Sequence, residues 1–388
     1  MGGFVVIIID LMLNIQVIQT KRKELGLSGA ELAAMCGVSR EAVSNWLKGE
    51  SEPRPSKTVQ LAKVLGLDLK DVLELPPLPL EPVVAYRTRR NREVSGPAAD
   101  AAQELALNFR HLQSYLPARA KLGIAKDLEP KATEGHVRMV AADMRSRLGL
   151  SEMDIVEETH LLSLFRHFGT ILVPVFWGLD KQNHENALSV YLPESETSIV
   201  IFNIGCKVDD YLYWLAHEFG HCLSLHALQG KDGETYAEQF AQQFLFPVEA
   251  AAVCSTEIGK LTGLAAFKVV EAWAKKYGIS PVTVLRGVDR HRATREQGAS
   301  KLEDQNFWTR YGVRQKSVGS MVESLLGTES PTAELIIKIA VERYGSPAYD
   351  ALATLQKRDG GRLPTVIQST LMVSFADAMA LSFALWRS

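Results

Sequence analysis

The stretch Trp214–His226, WLAHEFGHCLSLH, carries three histidines and a glutamate within thirteen residues. His217 and His221 are four positions apart, so on a helix they project from one face. Their imidazoles can then reach a single metal ion with Zn–N bonds of about 2.0–2.1 Å. Glu218 follows the first histidine, where a carboxylate can take a proton from a metal-bound water and deliver it to a leaving amine. This HExxH spacing is the chemistry of peptide-bond hydrolysis on zinc. Leu215, Phe219, Cys222 and Leu223 give the helix an apolar remainder, and Gly220 lets a neighbour pack closely. The plainer reading is an apolar helix with incidental histidines, and a third ligand is what separates the two. His226 does not supply it. At nine residues past His217 it points to the opposite face, which makes it a hairpin-end or surface histidine.

A carboxylate from a neighbouring helix would complete the set. Past the turn ALQGKDG, the segment ETYAEQFAQQFLFP predicts a second helix starting near Gly233, with Ala237, Phe240, Ala241, Phe244 and Leu245 as its core stripe. Glu234 and Glu238 share one of its faces. In a symmetric hairpin Glu238 is nearly level with His221 and Glu234 sits closer to the turn, so geometry alone does not choose between them. Two unpaired carboxylates on an apolar helix face would be costly, which argues for a role.

The elements that must hold these residues begin near 154. A helix, DIVEETHLLSLFRHFG, leads into a strand, TILVPVF; ALSVYLP and TSIVIFNI then alternate and are rich in β-branched residues, predicting a hairpin around ESE. Helices over 208–228, 233–246 and 262–278 follow. With LAHEFGH, the run E-x-x-A-E-x-F-A-x-x-L-x-P at Glu234–Pro247 and the later YGISPVTVLRGVDRH, residues 154–295 resemble the ImmA/IrrE family of zinc metallopeptidases. The resemblance implies a zincin-like α+β domain with a small antiparallel sheet. It implies Zn2+ held by His217, His221 and Glu234, with Glu218 as the general base. Glu238 stands where the family usually has Asn or Asp, and is expected to orient a ligand histidine. Family members cut proteins inside the cell, often helix-turn-helix repressors. Tyr191, Tyr213, Tyr236 and His226 are the candidates for stabilising the oxyanion.

Residues 13–75 read as one domain, with five short helices over 15–74. Ser28 and Glu31 form a capping box, Gly37 supplies a tight turn, and Ser39 can cap the third helix. Leu32, Ala33, Val38, Val43, Trp46 and Leu47 fall where they can share a core. LAAMCGVSREAVSNWLKGESEP resembles the Cro/repressor-type (XRE) helix-turn-helix, with Leu47 standing where that family usually has glutamate. The resemblance implies a third helix in the major groove of double-stranded DNA, presenting Ser39, Arg40, Glu41, Ser44, Asn45 and Lys48. Nine Lys/Arg against seven Asp/Glu over 15–71 leave a local charge of only +2. A linker is expected over 76–97, Pro-rich and then basic, in which Arg87, Arg89, Arg90 and Arg92 could add phosphate contacts. Residues 98–153 read as a helical connector.

Bulk composition sets the frame. A chain of 388 residues with 46% hydrophobic and 23% charged content has the make-up of a multidomain globular protein, and its net charge of −2 points to no global nucleic-acid role. The four cysteines (Cys36, Cys206, Cys222, Cys254) form no CxxC pair, which fits a reducing cytoplasm and argues against both a disulfide framework and a cysteine-ligated zinc. Residues 1–13 lack the basic start of a secretory signal; they read as a β-strand, or translation begins at Met12. Val366–Trp386 is long enough to span a bilayer, but Asp377 and several Ser/Thr make it a buried helix, with no membrane partner. Residues 300–388 are expected to be helical and to sense a signal or form a homodimer. The expected whole is an α+β multidomain protein. It is a cytoplasmic zinc endopeptidase joined to a DNA-binding domain, acting on a repressor or antitoxin in a stress, mobile-element or toxin–antitoxin switch. The rival is a transcriptional regulator whose peptidase-like domain binds without cutting.

Overall fold

The computed structural model describes residues 12–48, 51–74, 82–85, 97–116, 129–179, 186–295 and 305–387. The chain divides into two compact units, 1–80 and 81–388.

In the first unit, the two-residue strand β1 (Met12–Leu13) pairs antiparallel with β2 (Leu73–Glu74) and closes a bundle of five helices. These are α1 (Ile15–Glu24), α2 (Gly29–Cys36), α3 (Arg40–Lys48), α4 (Pro55–Leu65) and α5 (Leu69–Val72). The predicted capping box is present: Ser28 Oγ accepts from Glu31 N at 3.2 Å, and the Glu31 carboxylate accepts from Ser28 N at 2.8 Å. Gly37 ends α2 with φ 63°, a left-handed conformation that glycine adopts without a Cβ penalty. Ser39 Oγ accepts from Ala42 N at 3.1 Å and so caps α3. Leu32, Ala33, Val43 and Trp46 are buried together with Ile18, Leu61 and Leu65, while Val38 and Leu47 pack against them. Residues 1–11 and the arginines 87, 89, 90 and 92 lie outside the described residues.

The second unit is built on a four-stranded sheet of order β3-β5-β6-β4, from β3 (Val83–Ala85), β4 (Ile171–Val175), β5 (Ala187–Leu192) and β6 (Thr197–Asn203). The β5–β6 hairpin is as predicted. Two expectations are corrected. The sheet is mixed rather than antiparallel, because β4 runs parallel to β6. Alternation identifies strands but not which edge a preceding strand joins. The stretch expected to be linker also contributes β3, which pairs antiparallel with β5. Its two valines are β-branched strand formers, hidden in the sequence by flanking prolines.

Along the three longer strands, alternate residues face two different cores. Leu172, Val200 and Phe202 join a core with α7 (Glu134–Arg147), α8 (Glu158–His167), α9 (Val208–Ser224), α10 (Gly230–Leu245), α11 (Val248–Ile258), α12 (Gly263–Tyr277) and α13 (Pro281–Thr294). Ile171, Val173, Val190, Ile199 and Ile201 face the opposite way, into a core shared with α6 (Pro97–Leu112) and the chain's end. After α14 (Gln305–Gln315) and α15 (Met321–Leu326) come α16 (Ala333–Glu342), α17 (Ala348–Arg358), α18 (Pro364–Leu371) and α19 (Phe375–Arg387). The residues read as connector and tail therefore form one unit with the central region, covering both faces of its sheet. Among the described residues no single helix is long and apolar enough to cross a membrane. Within Val366–Trp386 the chain breaks between α18 and α19, which meet at 116°.

Candidate functional site

α9 carries His217, Glu218 and His221, all buried at 1%, 5% and 2% exposure. It begins with Asp209 in its first turn, which suits the positive end of the helix dipole. α10 returns antiparallel from the turn and lies very close, because Gly220 has no side chain: a Cβ there would stand 2.8 Å from Ala237 Cα. That proximity delivers Glu234 to the histidines.

His217 Nε2 and His221 Nε2 are 3.2 Å apart. One carboxylate oxygen of Glu234 lies 3.2 Å from His221 Nε2 and the other 3.6 Å from His217 Nε2. In a tetrahedron with bonds of about 2.0 Å, ligand atoms are separated by about 3.3 Å. The three groups therefore have the donor chemistry and the spacing of a three-ligand zinc site. Burial acts to raise the Glu234 carboxyl, but hydrogen bonding to His217 and His221 and their charge outweigh it and hold the carboxyl well below its usual range. Of the two glutamates left open by helix geometry, Glu234 joins the histidines; Glu238 is half-buried on the next turn.

Glu218 is held from the sheet. Ser189 Oγ donates to Glu218 Oε2 at 2.6 Å, and both groups are buried. This contact escaped the sequence reading. Its signal is a small polar residue in the alternating strand ALSVYLP, on the face opposite Leu188, Val190 and Leu192. Ala85, Ala187 and Trp214 join the triad and Glu218 in lining a recess of about 10 Å³, the scale of one water. A larger cavity of about 330 Å³ between α16 and α19 lies elsewhere and includes none of these residues.

The aromatic candidates divide. Tyr236 is fully buried in the helical core, two positions beyond Glu234 and so on another face of α10. Tyr213 stacks on His217 with ring centroids 6.4 Å apart, and Trp214 meets the same imidazole edge-on at 5.7 Å. His226 lies in the turn after α9, 6.3 Å from the ring of Tyr191, apart from the ligand triad.

A buried arginine, also missed from sequence, fixes the far end of α10. Arg145 donates to the carbonyls of Phe244 at 2.6 Å, Ser151 at 2.6 Å and Asp154 at 2.5 Å. Desolvation lowers its pKa, and Tyr277, Asp154 and Glu249 offset part of that.

In the first unit, Ser39, Arg40, Glu41 and Lys48 are exposed, and Ser44 and Asn45 half-buried. Val43 and Trp46 turn inward, so α3 offers a polar outer face. Lys57 Nζ donates to the carbonyls of Cys36 and Gly37 at 2.9 and 3.0 Å, tying α4 to the turn. Residues 18–72 match the family model described as helix-turn-helix. The first unit is a helix-turn-helix DNA-binding domain. That match ends before His217, His221 and Glu234, and no curated protein matches the chain.

Proposed function

We propose that the chain is a zinc-dependent endopeptidase joined to its DNA-binding domain, and that it cuts a protein partner of repressor or antitoxin type. The observation that carries the reading is the convergence of His217, His221 and Glu234 at 3.2–3.6 Å beside Glu218. Two imidazoles and a carboxylate converging on one point can offer a cation three donor atoms at once, and a divalent ion there would replace the hydrogen bonds they make to one another. Zinc, when bound, acts as a Lewis acid toward the substrate carbonyl and the attacking water. The chain's own residues supply the rest. Glu218 takes the water's proton and passes it to the leaving nitrogen, and Ser189 fixes which way its carboxylate faces. Tyr213 and Trp214 flank the His217 imidazole and limit its rotation. The helix-turn-helix face of α3 takes double-stranded DNA, which sets the cytoplasm as the place of action. The resemblance to ImmA/IrrE proteins supplies the partner class, and a regulatory switch in stress, mobile-element or toxin–antitoxin control is the role that combines both units.

The test is zinc content together with cleavage of a co-encoded repressor. Glu218→Gln keeps stoichiometric zinc and loses cleavage by about 10²–10⁴-fold, the usual worth of a general base. A zinc-loaded wild type that cuts nothing more than the variant does sinks the peptidase reading. One observation favours a second reading, a regulator that binds through this site without cutting. The ligands are almost wholly buried, around a recess the size of a water.

A further inference from the structure

β3 is an extended three-residue segment laid along the edge of β5, in the register Val83↔Tyr191, Val84↔Val190 and Ala85↔Ser189. Ser189 is the residue that holds Glu218. Ala85 therefore sits over the general base, and it lines the recess that contains the ligand triad. Val84 faces the other way and packs on the second core. With β3 in place the recess holds about 10 Å³, enough for a water but not for a peptide bond with its flanking residues.

A sheet edge beside a catalytic site is where an extended peptide adds itself as a further strand. Its main chain supplies affinity, and alternate side chains supply selectivity. β3 already makes that pairing. It comes from the stretch that joins the two units, since β2 ends at Glu74 and β3 starts at Val83. β3 is at the short end of strand lengths, so a longer incoming strand offers more main-chain pairs to β5 than β3 does.

We propose that Val83–Ala85 is an internal stand-in for substrate. The chain's own linker occupies the strand position on β5 that an extended peptide must take, and the site opens when β3 is displaced. This rests on the peptidase reading. It also defines the peptide class: an extended segment with a small residue over the metal site and β-branched residues before it.

The test uses the zinc-loaded full-length chain and a labelled peptide of sequence Glu-Pro-Val-Val-Ala, that of residues 81–85. Ala85→Arg puts a side chain where the recess has no room, and Val84→Asp puts a charge against the apolar core; both are aimed at undocking β3 and replace no residue of α9 or α10. One zinc per chain confirms that each variant is folded at the site. Binding of the peptide at least about tenfold tighter to each variant than to wild type is the expected result. Equal binding to all three, or to none, overturns the stand-in. Cleavage is scored in the same samples. Variants that bind the peptide more tightly yet hydrolyse nothing uphold strand exchange and sink the peptidase reading. Hydrolysis by wild type as fast as by both variants does the reverse.

Discussion

The α3 face and the proposed metal site are two ways of building function. Arg40, Glu41 and Lys48 are exposed on a single helix whose inward residues, Val43 and Trp46, hold it in place. His217, Glu218, His221, Glu234 and Ser189 are buried and come from two helices and a strand. A surface face needs only a rigid helix behind it, so its parts fail singly and mildly. A buried site depends on the spacing of separate elements, and an error in any of them reaches all its members.

Substitutions can break or sharpen that contrast. The largest effect is expected at the ligands. Glu234→Ala removes one of the three proposed zinc ligands and is expected to reduce zinc occupancy to background in metal analysis, whereas Glu238→Gln is expected to lower zinc affinity by at most about 10–100-fold. Equal losses from both would erase the distinction between them. Next comes the buried support. Arg145→Met leaves the Phe244, Ser151 and Asp154 carbonyls without their donor and costs about 3 kcal/mol in denaturant unfolding. It also weakens zinc binding without touching a ligand.

The surface face is expected to respond less. Arg40→Ala weakens specific DNA binding by about 1–3 kcal/mol if it reads a base edge. If it contacts phosphate, it lowers the salt dependence by about one counterion and weakens all sequences alike. Loss of folding in this variant would contradict the description of α3 as an open face. The smallest effect is a pH dependence at the start of α9. Burial and the neighbouring Asp209 push the Asp210 carboxyl up to about 6, against the pull of Arg314 and Lys207. The folded chain thus holds that proton more tightly than the unfolded one. The stability it contributes is present below about pH 4 and is lost as the pH rises through about 6. Asp210→Asn is expected to stabilise the second unit by about 1 kcal/mol at pH 7 and by nothing measurable at pH 4, the partial exposure of the site reducing the gain.

What could be read from sequence follows the same division. The helix-turn-helix lies in one contiguous run, where caps, a left-handed glycine and a 3.6-residue apolar stripe all act locally, and every helix was found in its predicted place. His217 and His221 were legible because four residues are one helical turn. Glu234 came from the family resemblance, since helix geometry alone did not separate it from Glu238. The contacts that sequence missed are non-local. Ser189 meets Glu218 across 29 positions, and Arg145 meets Phe244 across 99. β3 is too short to show a period, and the parallel pairing of β4 with β6 is decided by which edge of the hairpin remains open.

Gly220 carries no ligand atom, yet it sets the spacing of the helices that carry them. With a Cβ 2.8 Å from the backbone of Ala237, any other residue forces α9 and α10 apart, and Glu234 moves away from the histidines together with its helix. Metal–ligand bonds tolerate displacements of about 0.2 Å. The one position on α9 without a side chain is thus the tolerance to which the proposed metal site is machined.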